Sequence, residues 1–329
     1  MCHQRNHSLQ KSNPKYLFAG LGTMGFPMAG HLSKNPNLDL YVFNRTSSVS
    51  AKWVKRYSGT QLISLNPCSV KFDGVITCLK DDASISSVLL KSGLLESIKA
   101  KAFIVDHSTT SLNLVSTISH YPDILDKKIS FFDAPVSGGE VGAINGLLSI
   151  MLGGPKTKLS KVKLVLEAYS KSITHIGPSG HGQLTKMVNQ LCIASLVQGL
   201  SEAIALGQKS NLNMDKVLKA ISGGAAQSWQ MDNRFKTMSA GDFDFGFAVN
   251  LMIKDLKIAL KHSQSLDLDF DSSKLILKKY NQLSKSGHGS LDTSSLIKLL
   301  HMDVVSCQSN YQIDHCSIYL SLRQSKLFD

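Results

Sequence analysis

Short apolar runs recur through the first half of the chain, with helix-like stretches between them. They are KYLFAG (15–20), LYVFN (40–44), GVITCL (74–79), AFIVDHS (102–108), ISFFDAP (129–135), LSIMLGG (148–154) and ITHIG (173–177). The first four are almost continuously apolar, the pattern of strands covered on both faces. Strands that alternate with helices predict a parallel sheet with helices on both sides. GGPKTKLSKVKLVLEAYSKS (153–172) reads as one amphipathic helix between the last two runs. After Gly182 the strand pattern stops. Residues 184–208, LTKMVNQLCIASLVQGLSEAIALGQ, are apolar on most faces and predict a helix buried nearly all round. Further helices are expected at 214–222, 227–238, 248–266, 272–285 and 292–301, with Asp271 and Asp292 as N-caps of the last two.

A length of 329 residues accommodates two cores. The 43% hydrophobic and 18% charged content is that of a soluble globular protein. No run of 18 apolar residues occurs, so no membrane span is expected. The formal charge of +12 is spread along the chain rather than gathered in a stripe. It therefore predicts a basic surface that attracts anionic small molecules, and no nucleic-acid partner. The six cysteines show no C-x-x-C pairing. Cys78 and Cys192 fall in apolar patterns and are expected to be buried free thiols in a reducing, cytoplasmic setting, with no disulfide framework and no metal site. Residues 1–14 are polar and carry arginine, lysine and serine but no acid. They are not a secretory signal, resemble an organelle-targeting peptide only weakly, and are expected to be a disordered extension. Residues 302–329 match neither pattern and form a tail of unassigned order.

FAGLGTMGFPMAGHL contains G-x-G-x-x-G at Gly20, Gly22 and Gly25. The spacing alone is weak, but here it follows a strand and opens a helix. In that context Gly20 makes the tight turn, Gly22 lets a pyrophosphate approach and Gly25 lets helix and strand pack closely. Leu21, Thr23 and Met24 complete the loop, whose amides face an anion at the helix N-terminus. The expected fold is thus an α/β Rossmann-type parallel-sheet domain over 15–177, followed by an all-α substrate and dimerisation domain over 178–301. The second strand ends not in an acid but in Asn44, Arg45 and Thr46. An arginine pairs with a 2′-phosphate, so NADP(H) is favoured over NAD(H).

At this point the chain resembles the β-hydroxyacid dehydrogenases, among them 3-hydroxyisobutyrate dehydrogenase, tartronate semialdehyde reductase and glyoxylate/succinic semialdehyde reductase, with 6-phosphogluconate dehydrogenase a distant relative. GLGTMGFPMAGHL (20–32) is similar to the family's cofactor fingerprint, DAPVSGG (133–139) to its substrate loop, GHGQLTKMVNQ (180–190) to its catalytic motif and LMIKDLKIAL (251–260) to its second cofactor-side motif. VDHSTTS (105–111) is a weaker match. The resemblance spans residues 15–301. Gln190 replaces an asparagine of some subfamilies, and Phe245 stands where PGF is common, which blurs the substrate assignment.

The resemblance implies reversible hydride transfer between a small β-hydroxyacid, or its semialdehyde, and NADP(H) or NAD(H). Lys186 becomes the catalytic acid/base, its ordinary pKa of about 10.4 lowered by burial. Asn189 and Gln190, one helical turn on, would hold the substrate. Ser137, Gly138 and Gly139 suit a substrate carboxylate, because consecutive backbone amides form an anion nest. Phe247 is a candidate for lining the substrate pocket. Lys254 reaches toward the cofactor, while Asp255 is expected to be structural. Leu79, Ser108 and Thr109 lie at strand ends and are candidate contacts for the nicotinamide side, the last two being equally good helix caps. His107, His175 and His181 lack ligand spacing. An imine reductase on the same scaffold is expected to lack the lysine, and a non-catalytic NADP-binding scaffold to lose Lys186 or the Ser-Gly-Gly loop. The apolar helical half predicts a homodimer or homotetramer.

Overall fold

The structure is a computed structural model and describes residues 12–65 and 69–301. The expected tail, most of the N-terminal extension and four of the six cysteines (Cys2, Cys68, Cys307 and Cys316) lie outside the described residues.

The strands are β1 (Lys15–Ala19), β2 (Asp39–Phe43), β3 (Thr60–Gln61), β4 (Phe72–Thr77), β5 (Ile98–Asp106), β6 (Ser130–Asp133), β7 (Val136–Ser137), β8 (Leu148–Gly153) and β9 (Ser170–Gly177). They form one sheet in the order β3-β2-β1-β4-β5-β6-β8-β7, with β9 paired to β8. From β3 to β6 every pairing is parallel. This is the order of a doubly wound nucleotide-binding sheet, in which ligands bind beyond the strand ends beside β1 and β4. Consecutive strand residues point to opposite faces. Phe18, Ile76, Val105 and Phe132 join one core, while their neighbours Leu17, Val75, Ile104 and Phe131 join the other. Both faces are buried, which is why these runs lack polar alternation.

The sheet is parallel-dominated rather than wholly parallel: β8 runs antiparallel to β6 and β7. The chain turns back near Pro135, whose carbonyl accepts from Met151 N, and the short helix Gly139–Asn145 joins β7 to β8. The 153–172 stretch is also shorter in helix than its pattern suggests. Gly154 has φ +146° and Pro155 follows it, so the α-helix is confined to Leu159–Glu167 and β9 starts at Ser170.

After Gly180, which has φ +95°, the long helix His181–Lys209 begins. Helices Met214–Ile221, Trp229–Ala240, Val249–Gln264 and Asp271–Leu283 pack around it. The long helix places Ala194 and Val197 in one core with Val249, Met252 and Tyr280, and Leu200 and Ile204 in another with Met231 and Phe235. Two cap expectations divide. Asp292 accepts from Ser294 N, but the segment it opens is a 3₁₀ helix, Thr293–Ile297, with one α turn after it. Asp271 is the first residue inside its helix and caps nothing.

The long helix is not buried all round. Val188, Cys192, Leu196, Gly199, Ala203 and Leu206 fall on one exposed face, with Val188 61% and Leu206 70% accessible. Cys192 is thus an exposed thiol, not a buried one, because it belongs to this outward stripe. Cys78 is half-buried, and desolvation pushes its thiol pKa up to about 12. By length and composition alone the 29-residue helix could cross a membrane. In this fold it packs against β6, β8, β9 and the surrounding helices.

Candidate active site

The first element of the site is the turn after β1. Gly20 N donates to Phe43 O at 2.9 Å and has φ +102°. A side chain on Gly20 would strike Cys78 O and Leu79, whereas one on Gly22 would meet nothing. The first glycine is therefore fixed by packing, and the second by what must approach from outside. The open space above Gly22, with the helix Gly25–Leu32 opening beyond, is the cradle a pyrophosphate requires. Leu21 N donates to Asn44 Oδ1 at 3.0 Å, and Asn44 Nδ2 donates to Thr46 O, so the end of β2 braces the loop. Thr23 and Arg45 are exposed, Met24 is half-buried, and Arg45 makes no ion pair among the described residues.

The next elements are the ends of β4 and β5. Leu79 N donates to Ser108 Oγ at 2.7 Å. Asp106 receives Thr77 Oγ1 at 2.8 Å and Ser108 N at 3.0 Å, and burial raises its pKa to about 6. The helix cap here is Ser111, which accepts from Leu114 N, and not Ser108 or Thr109. Both of those are tied to the helical half instead. Ser108 O accepts from Gln183 Nε2, and Thr109 O accepts from Lys254 Nζ.

Lys186 lies in the second turn of the long helix and is 8% exposed. Its Nζ donates to Val136 O at 2.9 Å, beside the Ser137–Gly139 loop. Desolvation is the main reason its pKa falls to about 8; Asp255 opposes that fall and Lys254 adds to it. Asn189 Nδ2 donates to Gln190 Oε1 at 2.9 Å, and Gln190 Nε2 donates to Asp255 Oδ2 at 2.6 Å. Lys254 Nζ stands 2.9 Å from Asp255 Oδ1 as an ion pair, without hydrogen-bond alignment. In the loop, Ser137 pairs with Ser149 of β8, and Gly138 and Gly139 both have positive φ, +126° and +60°.

Contacts therefore link the glycine loop, Leu79, Ser108, Thr109, Lys254, Gln190 and Asn189 in one chain, with Lys186 and the Ser-Gly-Gly loop adjoining. Phe247 stands apart. It is half-buried against the helical core, and its backbone is held by Asp292. Sequence reasoning passed over Asp133 and Gln183, both buried and both bonded across the two halves. The available signal for Gln183 was its i−3 spacing from Lys186. His107 is buried and neutral, its pKa lowered to about 4 by burial. Its Nδ1–H faces Ala134 O at 2.7 Å, so Nε2 accepts from Tyr169 Oη at 2.8 Å. Among the described residues the His175 ring bonds Gly154 O alone.

Residues 15–177 match the family model described as the NAD binding domain of 6-phosphogluconate dehydrogenase. Residues 180–300 match the one described as NAD-binding of NADP-dependent 3-hydroxyisobutyrate dehydrogenase. An uncharacterized oxidoreductase of Shewanella frigidimarina is 43% identical, covering 87% of this chain and 98% of its own. A probable 3-hydroxyisobutyrate dehydrogenase-like 1, mitochondrial, of Arabidopsis thaliana is 36% identical, covering 91% of this chain and 89% of its own. Among solved structures, 3-hydroxyisobutyrate dehydrogenase of Mycobacterium tuberculosis with L-serine has a TM-score of 0.79 at 24% identity, covering 88% of this chain and 99% of that one. This chain belongs to the β-hydroxyacid dehydrogenase family of 3-hydroxyisobutyrate dehydrogenase type, and is an NAD(P)-dependent oxidoreductase.

Proposed function

We propose that this oxidoreductase interconverts a small β-hydroxyacid and its semialdehyde, prefers NADP(H), and uses Lys186 to move the proton. The observation that carries this reading is the buried Lys186 amine on Val136 O, next to the Ser-Gly-Gly loop. A bound NAD(P) would supply the hydride acceptor for oxidation of the alcohol carbon and the hydride donor for the reverse reaction. Gly20 to Gly25 would hold the pyrophosphate, Asn44, Arg45 and Thr46 the adenosine side, and Leu79, Ser108, Thr109 and Lys254 the nicotinamide side. Arg45, exposed and unpaired among the described residues, suits a 2′-phosphate. Ser137, Gly138 and Gly139 clamp the substrate carboxylate. Asn189 and Gln190 orient the substrate, and Phe247 is assigned to the pocket wall from the motif alone.

With a pKa of about 8, roughly a tenth of Lys186 amines are neutral at pH 7 and able to take a hydroxyl proton. Oxidation therefore rises with pH through about 8, while reduction, which needs the charged amine, falls over the same range. The exposed stripe on the long helix supports a homodimer formed by the helical halves, Gly199 and Ala203 permitting close approach.

The test is a panel of small hydroxyacids and semialdehydes assayed in parallel with NADPH and NADH. The expected result is turnover of at least one pair, with kcat/KM about tenfold higher for NADPH, and loss of that preference in Arg45→Ala. Tight NADPH binding with no turnover across the panel would instead make the protein a non-catalytic nucleotide-binding scaffold.

A further inference from the structure

Two buried side chains that the proton transfer does not use fasten the Lys186 helix to the sheet. Asp133, at the end of β6, is 0% exposed, and its two carboxylate oxygens accept from Gly180 N at 2.7 Å and Gln183 N at 2.8 Å. Gln183, also 0% exposed, donates Nε2 to Ser108 O at 2.7 Å and accepts Thr110 N on Oε1 at 3.1 Å. The first turn is drawn in so closely that a side chain on Gly182 would strike Asp133 O and Met151 O. The sheet end thus grips the helix three residues before Lys186, on the same helical face.

We propose that Gln183 and Asp133 are positioning residues that set where the Lys186 amine stands relative to Val136 and the strand ends; this rests on reading Lys186 as the proton-transfer group. A proton-transfer group must stand within hydrogen-bond reach of the substrate oxygen, and a displacement of about 1 Å removes roughly a hundredfold in rate. Gln183 suits the task because Ser108 O needs a donor and Thr110 N needs an acceptor, and one amide provides both.

The experiment compares full-length Gln183→Leu, Gln183→Glu and Lys186→Ala. Gln183→Leu loses both bonds. It is expected to bind NADPH within about threefold of wild type by fluorescence titration, keep its substrate KM, and lose at least about tenfold in kcat. In the same protein without coenzyme, Lys186 should acylate about tenfold faster with an amine reagent, read by mass spectrometry, because the turn opens more often. In Gln183→Glu the neutral acid still donates to Ser108 O and accepts from Thr110 N, whereas the carboxylate cannot donate. Its kcat relative to wild type should therefore fall as pH rises, adding a limb that a merely structural role would not create. If Gln183→Leu does not fold, Gln183→Glu decides the matter. Wild-type kcat with unchanged Lys186 labelling in a folded variant overturns the proposal. Full turnover in Lys186→Ala would overturn the proton-transfer reading alone, and labelling still decides the clasp.

Discussion

Lys186 stands near enough to Lys254 to feel its charge, yet the surroundings of the two amines differ in kind. Lys186 has a carbonyl for a partner, and burial drives its pKa down to about 8. Lys254 is half-buried, faces Asp255 directly and spans to Thr109 O on the other half of the molecule. A desolvated amine without a direct counter-charge is ready to give up its proton. An amine beside a carboxylate stays compensated, and serves to tie two elements together and present a positive charge. The same residue type, on neighbouring helices, is thus fitted for two different tasks by one carboxylate.

The most severe way to break the contrast is Lys186→Met, which is expected to lower turnover about 10³-fold while leaving NADPH binding intact. Turnover within tenfold of wild type would remove the amine from the chemistry. Stability should separate the pair next. The folded pKa of Lys186 lies below the unfolded value, so the folded state binds fewer protons between pH 8 and 10.5. The penalty of burying the charge is present below pH 8 and is relieved as pH rises through that window. Lys186→Met should therefore stabilise the fold at pH 7, by on the order of 1–3 kcal/mol in urea unfolding. Lys254→Met should do the opposite by about 1–3 kcal/mol, because the buried Asp255 loses its ion pair and keeps, among the described residues, the hydrogen bond from Gln190. Equal signs in the two variants would mean that the environments are not distinct. The finest effect concerns the pH limb near 8. Asp255→Asn removes the influence that raises the Lys186 pKa and should move the limb down. Lys254→Met removes the one that lowers it and should move the limb up, as read in a pH–rate profile.

Much of this was readable in the chain. Runs such as AFIV (102–105) and YLFA (16–19) are almost wholly apolar because both faces of the sheet are covered. The glycine spacing marked the loop because a bend, a ligand and a close packing contact need three different glycines at fixed intervals. What stayed hidden was short or irregular. β3 and β7 are two residues long each, and β9 shows in the sequence only from Ile173 on, because Lys171 and Ser172 precede its apolar run. Asp133 and Gln183 escaped because their partners lie up to 75 residues away and are mostly backbone groups, which leave no trace in side-chain patterning. The exposed stripe escaped because apolar content reads the same whether a helix face meets its own core or the outside.

The long helix enters the sheet's edge with its first turns and fills both helical cores with its later ones. Neither half can lose its order without pulling apart the element that completes the other. Denaturation should accordingly be all-or-none: in Trp229→Phe, where Trp53 alone reports the first half, its fluorescence and the helical ellipticity dominated by the second half should follow one coincident urea curve.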